Sequence, residues 1–363
     1  MDTQSNLLRI TARVIIATFI VLVMIVGKTF LVPFAWAVMI AMAGYPMLNN
    51  LEKRTKMPRT LINGLFLLGL LFLLMGTGLF FYKELSHIFS DMPELAGAVS
   101  ERLHNLSVTL RERGIDLPDN FDRSYFTTWA QAHSGIFVNI LSGIGVNIWN
   151  ILLIMFYMFF LLYYRDLVFA FFSKKYNDPK RMVAVRSQFN QSLAIVRSYI
   201  FGLLVLTLVS AVMNYIVLLI FGLEFALFFA LFLAVLNLIP FIGNPLGLLT
   251  IFIFAAITND TMLTPLLIMA SLFVANFLQD NMVRPWLMGD KMKLNAFAIF
   301  VSIIIGGMIW GVSGMILFIP ITGIIKVILE SSRETEHYAI FLSELPAKPK
   351  ENKGLVTRDI TAA

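Results

Sequence analysis

Residues 224–256 read EFALFFALFLAVLNLIPFIGNPLGLLTIFIFAA, and how this stretch is read decides the fold. It is apolar along its length but interrupted at its centre by Pro240, Gly243, Asn244, Pro245 and Gly247. A straight helix of 33 residues would measure about 50 Å at ~1.5 Å per residue, far more than the ~30 Å hydrocarbon core of a bilayer. The run therefore has to fold back or break. Proline removes an amide donor and glycine opens backbone angles closed to other residues, so the spacing predicts a non-helical tip over 239–247 between two short arms. Irregular backbone at membrane depth survives only where protein buries it or water-filled space adjoins it, which makes this tip a candidate binding site.

Composition sets the class around it. Hydrophobic residues are 58% of the 363 and charged residues only 14%, with a mean hydropathy of +0.81. That balance belongs to an integral membrane protein. The formal charge of +6 and pI near 9.4 do not point to nucleic acid, because the basic residues sit in short blocks between apolar runs, as cytoplasmic loops require. No cysteine occurs, so disulfides and thiolate metal sites are excluded. His87, His104, His133 and His337 lie outside the strongest apolar runs without metal-ligand spacing. The chain has no Walker loop, H-E-x-x-H or G-x-S-x-G motif, so neither a catalytic set nor a cofactor is expected, and ion-coupled or passive transport remains.

The order of the runs gives the organisation. Arg9 and Arg13 precede an apolar run at 14–26. A second run at 29–48 follows with no small-residue cleavage site between them, so the two read as a retained helical hairpin and not as a signal peptide. The segment 52–59 carries four basic residues against one acid and belongs in the cytoplasm. A third span occupies 61–82. Residues 83–146 mix charges with Leu95, Val99, Leu103, Leu106 and Leu110 at helical spacing, which predicts a small extracytoplasmic amphipathic insertion. A fourth span follows, then a basic cytoplasmic stretch with an amphipathic helix beneath the membrane over 179–199, and a fifth span at 199–221. The resulting divisions are 1–82, 83–146, 147–198, a transport core at 199–329, and a polar cytoplasmic tail at 330–363.

Charge placement separates two topologies. If 224–256 crossed the membrane once, the run at 262–283 would deliver Arg284, Lys291 and Lys293 to the outside, against the positive-inside rule. A hairpin that returns to its own side keeps them in the cytoplasm. The run at 296–329 is again too long and again broken, by Gly306, Gly307, Gly311, Ser313 and Gly314, and reads as a second hairpin. The expected fold is therefore all-α and polytopic: about six membrane-spanning helices plus two re-entrant broken-helix hairpins. Span plus hairpin occurs twice, at 199–256 and 262–329, as the inverted repeat used by secondary transporters.

Polar residues inside apolar runs are the candidate site. They are Asn214 in the fifth span, Asn237, Pro240, Gly243, Asn244 and Gly247 at the first tip, Asn276, Gln279 and Asn281 closing the next span, and Gly306, Gly307 and Gly311 at the second tip. Uncharged amides suit a small polar solute. Asp280 and Arg284 lie one helical turn apart and can pair. A charge at the membrane edge is costly, so Asp280 is either half of a structural ion pair or the Na+ or H+ site of an ion-coupled mechanism. Glu224, at the hairpin mouth, reads as interfacial.

The same residues carry a family resemblance. IPFIGNPLG at 239–247, QDNMVRPWLMG at 279–289 and GGMIWGVSGMILFIP at 306–320 resemble the AI-2E family of bacterial transporters, the PerM-like permeases, most clearly over 199–329. The family's P-x-x-G tip falls on Pro240 and Gly243, and its N-x-x-x-P element on Asn281 and Pro285, with Asp280 as the acid before that asparagine. The resemblance implies a multi-pass exporter or permease of small signalling or metabolic solutes in the bacterial cytoplasmic (inner) membrane, with both termini inside. It also implies Na+ or H+ antiport in some members and a homo-oligomer, with a pentamer as the expected assembly. The competing readings are a monovalent cation/proton antiporter working through Asp280, and an oligomeric scaffold or channel-like protein docking through 83–146.

Overall fold

The computed structural model describes residues 2–90, 148–175, 178–259, 261–284, 294–332 and 334–344, together with Gly97. Of the expected insertion at 83–146, residues 83–90 continue a long helix and the remainder, apart from Gly97, lies outside the described residues. Pro285, Lys291, Lys293 and the tail beyond 344 also lie outside them.

The described chain is helical. In order it forms α1 (Asp2–Val26), α2 (Lys28–Thr55), α3 (Arg59–Ser90), α4 (Ile148–Tyr163), α5 (Arg165–Lys175), α6 (Pro179–Ile220), α7 (Ala226–Leu236), α8 (Gly243–Thr258), α9 (Leu263–Leu278), α10 (Ala296–Glu330) and the short α11 (Glu336–Ala339). A π turn, Gln279–Val283, extends α9. By length and apolarity α2, α3, α6, α10 and α9 with its π turn are each sufficient to cross a membrane. The chain is an integral membrane protein.

Two expectations about the helices are corrected. The runs at 14–26 and 29–48 are not antiparallel arms: Gly27 has φ −81° and ψ 7°, its N–H bonds the Val23 carbonyl, and its own carbonyl accepts from Leu31. Helical hydrogen bonds thus pass through the junction, which can only bend. Residues 179–220 are likewise one helix and not a surface helix followed by a span. α6 opens with Asp178 accepting the Lys180 N–H and with Pro179 in the first turn, where a missing amide costs nothing. No proline follows until its end. The shift from basic to apolar composition marks a change of surroundings along one rod of 42 residues, about 63 Å long.

The first hairpin is real as a piece of protein geometry. α7, 11 residues, measures about 16 Å, and α8, 16 residues, about 24 Å, so neither matches a ~30 Å core. The arms run antiparallel: the Phe229 and Phe254 rings meet at 4.6 Å away from the tip, and Gly247 and Gly243 press on Leu233 and on the Leu236 carbonyl nearer to it. Leu218, Leu233, Ile251, Ile268 and Leu272, all fully buried, join both arms to α6 and α9 in one core, with Ile88 of α3 at its edge.

α10 reverses on itself at Gly311, with φ 61° and ψ −141°. In a straight helix Ser302 and Thr322 would be about 30 Å apart, yet their hydroxyls lie 2.7 Å from each other. Gly306 and Gly314 face each other so closely that a Cβ on either would overlap the other's carbonyl. The folded helix leans on α6, where Tyr199 Oη donates to the Ile316 carbonyl at 2.9 Å.

α2, α3 and α4 form a bundle around Ala37, Leu48, Ile62, Met158 and Leu162, and α2 joins it to α6 and α10 through Met39, Val196 and Leu317. Its polar end is held by charge. Glu52 pairs with Arg165 and, at 3.5 Å, with Arg59, which also reaches Asp166 at 2.8 Å. Buried Arg165 lies over the Tyr45 ring at 5.3 Å. In sequence these arginines count only as loop charges; folded, they tie α2, α3 and the start of α5 together.

Candidate functional site

The first tip is shorter than the 239–247 expected. α7 ends at Leu236, with Asn237 beyond it still near helical angles, and α8 begins at Gly243. The left-handed residue of the turn is Phe241, at φ 65°, and not a glycine. Gly243, Asn244, Pro245 and Gly247 therefore sit in the opening turns of α8. Pro245 is tolerated there because first-turn amides lack partners in any case. Gly243 has no positive φ; what it needs is room against the Leu236 carbonyl.

The tip rests on the arms of the second hairpin. Leu238 packs against the cluster of Tyr199, Ile303, Ile316 and Ile319, and the Phe241 ring meets Phe300 edge-on at 5.8 Å. The second tip is engaged elsewhere. Trp36 Nε1 of α2 donates to Ser313 Oγ at 3.3 Å, and Trp310 Nε1 donates to the Met24 carbonyl of α1 at 3.0 Å. Gly306 and Gly307 are consumed by contacts with Gly314 and Met315 across the seam of α10. These three glycines, including Gly311, shape the hairpin without joining the first tip.

Several amides of α8 and α9 carry buried side-chain atoms without partners, as do Asn63, Asn150, Tyr157 and Arg165 elsewhere. α8 and α9 pack side by side, with Ile251 in one core with Ile268 and Leu272. Asn276 and Gln279 are buried at the end of α9. Asn276 Nδ2 donates to the Leu272 carbonyl at 2.8 Å, but its Oδ1, Gln279 Nε2, Asn244 Oδ1 and Arg284 Nε are buried with no hydrogen-bond partner. An unmade buried hydrogen bond costs about 1–3 kcal/mol, which a polar solute or water reaching these atoms would recover.

The π turn adds to this. Arg284 N–H reaches the Gln279 carbonyl, five residues back, and such turns concentrate at functional sites. Asp280 and Arg284 pair at 2.8 Å with side chains 44% and 43% exposed. Asn281 is exposed and its Nδ2 bonds the Phe277 carbonyl at 2.8 Å, so it stands apart from the buried amides. Asn214 is buried in α6, where it donates to Ser210 Oγ at 3.2 Å. Lys326 escaped the sequence reading: it is buried in the second arm of α10, 3.6 Å from Glu330. A lone lysine in the apolar run at 315–329 was the available signal.

Comparisons with known proteins place the chain in a family. Residues 14–334 match the AI-2E family transporter family. TqsA of Escherichia coli (strain K12), named an AI-2 transport protein, is 23% identical over 316 residues, covering 87% of this chain and 90% of TqsA. YrrI of Bacillus subtilis (strain 168) is 25% identical over 317 residues, covering 84% of this chain and 87% of YrrI. A Haemophilus influenzae protein is 24% identical over 357 residues, covering 95% and 98%. The family match runs over nearly the whole length and takes in the broken-helix elements described above, and the chain belongs to the AI-2E family of membrane transporters.

Proposed function

We propose that this chain is a secondary transporter of a small polar solute in the bacterial cytoplasmic membrane, with the amides between α8 and α9 as its solute contacts. The observation that carries this reading is the set of buried polar atoms without partners on Asn244, Asn276 and Gln279. They offer two acceptors and one donor, with no charge among them, which suits a polyhydroxylated or amide-bearing neutral molecule. AI-2, the solute in the name of the E. coli relative, is the first candidate, and export is the direction that the family suggests. In this reading α7–α8 is a re-entrant hairpin entered from outside, α10 is one entered from the cytoplasm, and access alternates as the 199–329 core moves against the earlier helices, within a homo-oligomer. The short arms of α7 and α8 and the charge placement around 284–293 favour it.

AI-2 flux into proteoliposomes tests the proposal. Asn276→Leu and Gln279→Leu should each lower flux at least about tenfold while the protein stays folded, that being the effect of about 1.4 kcal/mol on a solute contact. Full flux in both would remove the amides from the path.

A second reading makes the chain a cation/proton antiporter. The Asp280–Arg284 pair beside the π turn favours it. Asp280→Asn should then abolish the response of flux to a pH gradient; an unchanged response assigns the pair to structure. A scaffold would show no flux of any solute under any gradient.

A further inference from the structure

A groove of about 650 Å³ lies between α2, α3 and α6, and Asn244, Asn276 and Gln279 do not line it. Its walls are apolar, with Ile40 and Phe66 on one side and Phe201 and Leu204 on the other. The last two are 65% and 64% exposed, so the groove opens onto the outside of the helix bundle. Its polar lining is Asn50, Arg54 and Arg197. Neither arginine has an acidic partner among the described residues, and the acid nearest in sequence, Glu52, is already held by Arg59 and Arg165. The α2 wall ends beside the basic segment 52–59, which belongs to the cytoplasmic leaflet, where anionic lipids concentrate.

We infer that this groove binds one anionic phospholipid of the surrounding membrane, its phosphate between Arg54 and Arg197 and an acyl chain along Phe66, Phe201 and Leu204. Two unpaired guanidiniums at the polar part of a long apolar wall match a headgroup on a chain. A free phosphate would leave that wall in contact with water. The lipid would wedge α6, the first helix of the transport core, against the α2–α3–α4 bundle.

The test is native mass spectrometry of the full-length protein in neutral detergent, titrated separately with phosphatidylglycerol, phosphatidylcholine and inorganic phosphate. Phosphatidylglycerol adducts should form in preference to phosphatidylcholine and should survive millimolar phosphate. In Arg54→Gln/Arg197→Gln the affinity should fall roughly thirtyfold, the effect of two basic residues at a headgroup. Leu204→Trp, which fills the groove and keeps the charges, should lose the adduct as well. Unchanged binding in the double variant, equal binding of both lipids, or displacement by phosphate would overturn the inference. A photo-crosslinker at Phe201 in phosphatidylglycerol nanodiscs reads the same site without altering its charges: capture of lipid supports the inference, and capture of a second copy of the chain overturns it.

Discussion

The two hairpins solve one problem in opposite ways. The α7–α8 hairpin turns over 237–242, puts a non-glycine residue, Phe241, into the left-handed region, and leaves Asn244 Oδ1 buried without a partner. The α10 hairpin turns on Gly311, closes its arms through Gly306 against Gly314 and Ser302 against Thr322, and has its tip tied down by Trp36 and Trp310. No side-chain polar atom of α10 is among those buried without a partner. A helix can therefore reverse in apolar surroundings with its polar groups satisfied. The unmet Asn244 oxygen is not explained by turning alone, and that contrast is the physical reason to place the solute beside it.

Substitutions that treat the hairpins alike should give unlike results. The largest effect is expected at the closed seam. In Gly314→Val the new Cβ overlaps the Gly306 carbonyl, backbone that cannot swing aside, so stability should fall by about 3 kcal/mol or more. The measurement is the fraction of protein extracted as a single folded species, and a normal yield would mean that the arms of α10 do not touch.

Gly243→Val comes next, by about 2–3 kcal/mol, because its Cβ meets the Leu236 carbonyl. Its melting temperature in detergent should drop along with flux. Lost flux at an unchanged melting temperature would restore a purely functional role for this glycine.

A smaller and sharper comparison removes one polar group from each hairpin region. Ser302→Ala strands the Thr322 hydroxyl and should cost about 1–2 kcal/mol. Asn276→Leu removes an oxygen that has no partner, so its melting temperature should hold or rise. Equal destabilisation would show that both regions are built only for stability.

Much of this was legible in the sequence, for a local reason. Proline and glycine act on the backbone of their own segment, so Pro240–Gly247 and Gly306–Gly314 marked both reversals, and the four-residue spacing marked the Asp280–Arg284 pair. What was not legible depends on contacts across the chain. The left-handed position fell on Phe241 and not on Gly243, whose need for glycine came from the Leu236 carbonyl on the facing arm, which no local pattern encodes. The unbroken α6 was hidden because composition reports surroundings, not helix continuity. The partners of Arg165, and the α1 and α2 anchors of the second tip, lie more than 100 residues away in sequence from the groups they hold.

The most direct test of the paired-hairpin account uses single cysteines at Asn259, the base of the first hairpin, and at Ser331, the base of the second, labelled in intact cells and in inverted vesicles with a membrane-impermeant reagent. The chain has no native cysteine to compete. Two hairpins returning to their own sides predict that position 259 labels only from outside and position 331 only from the cytoplasm. If each broken run were instead a single crossing, both positions would label from the cytoplasmic side, and that result would contradict the account.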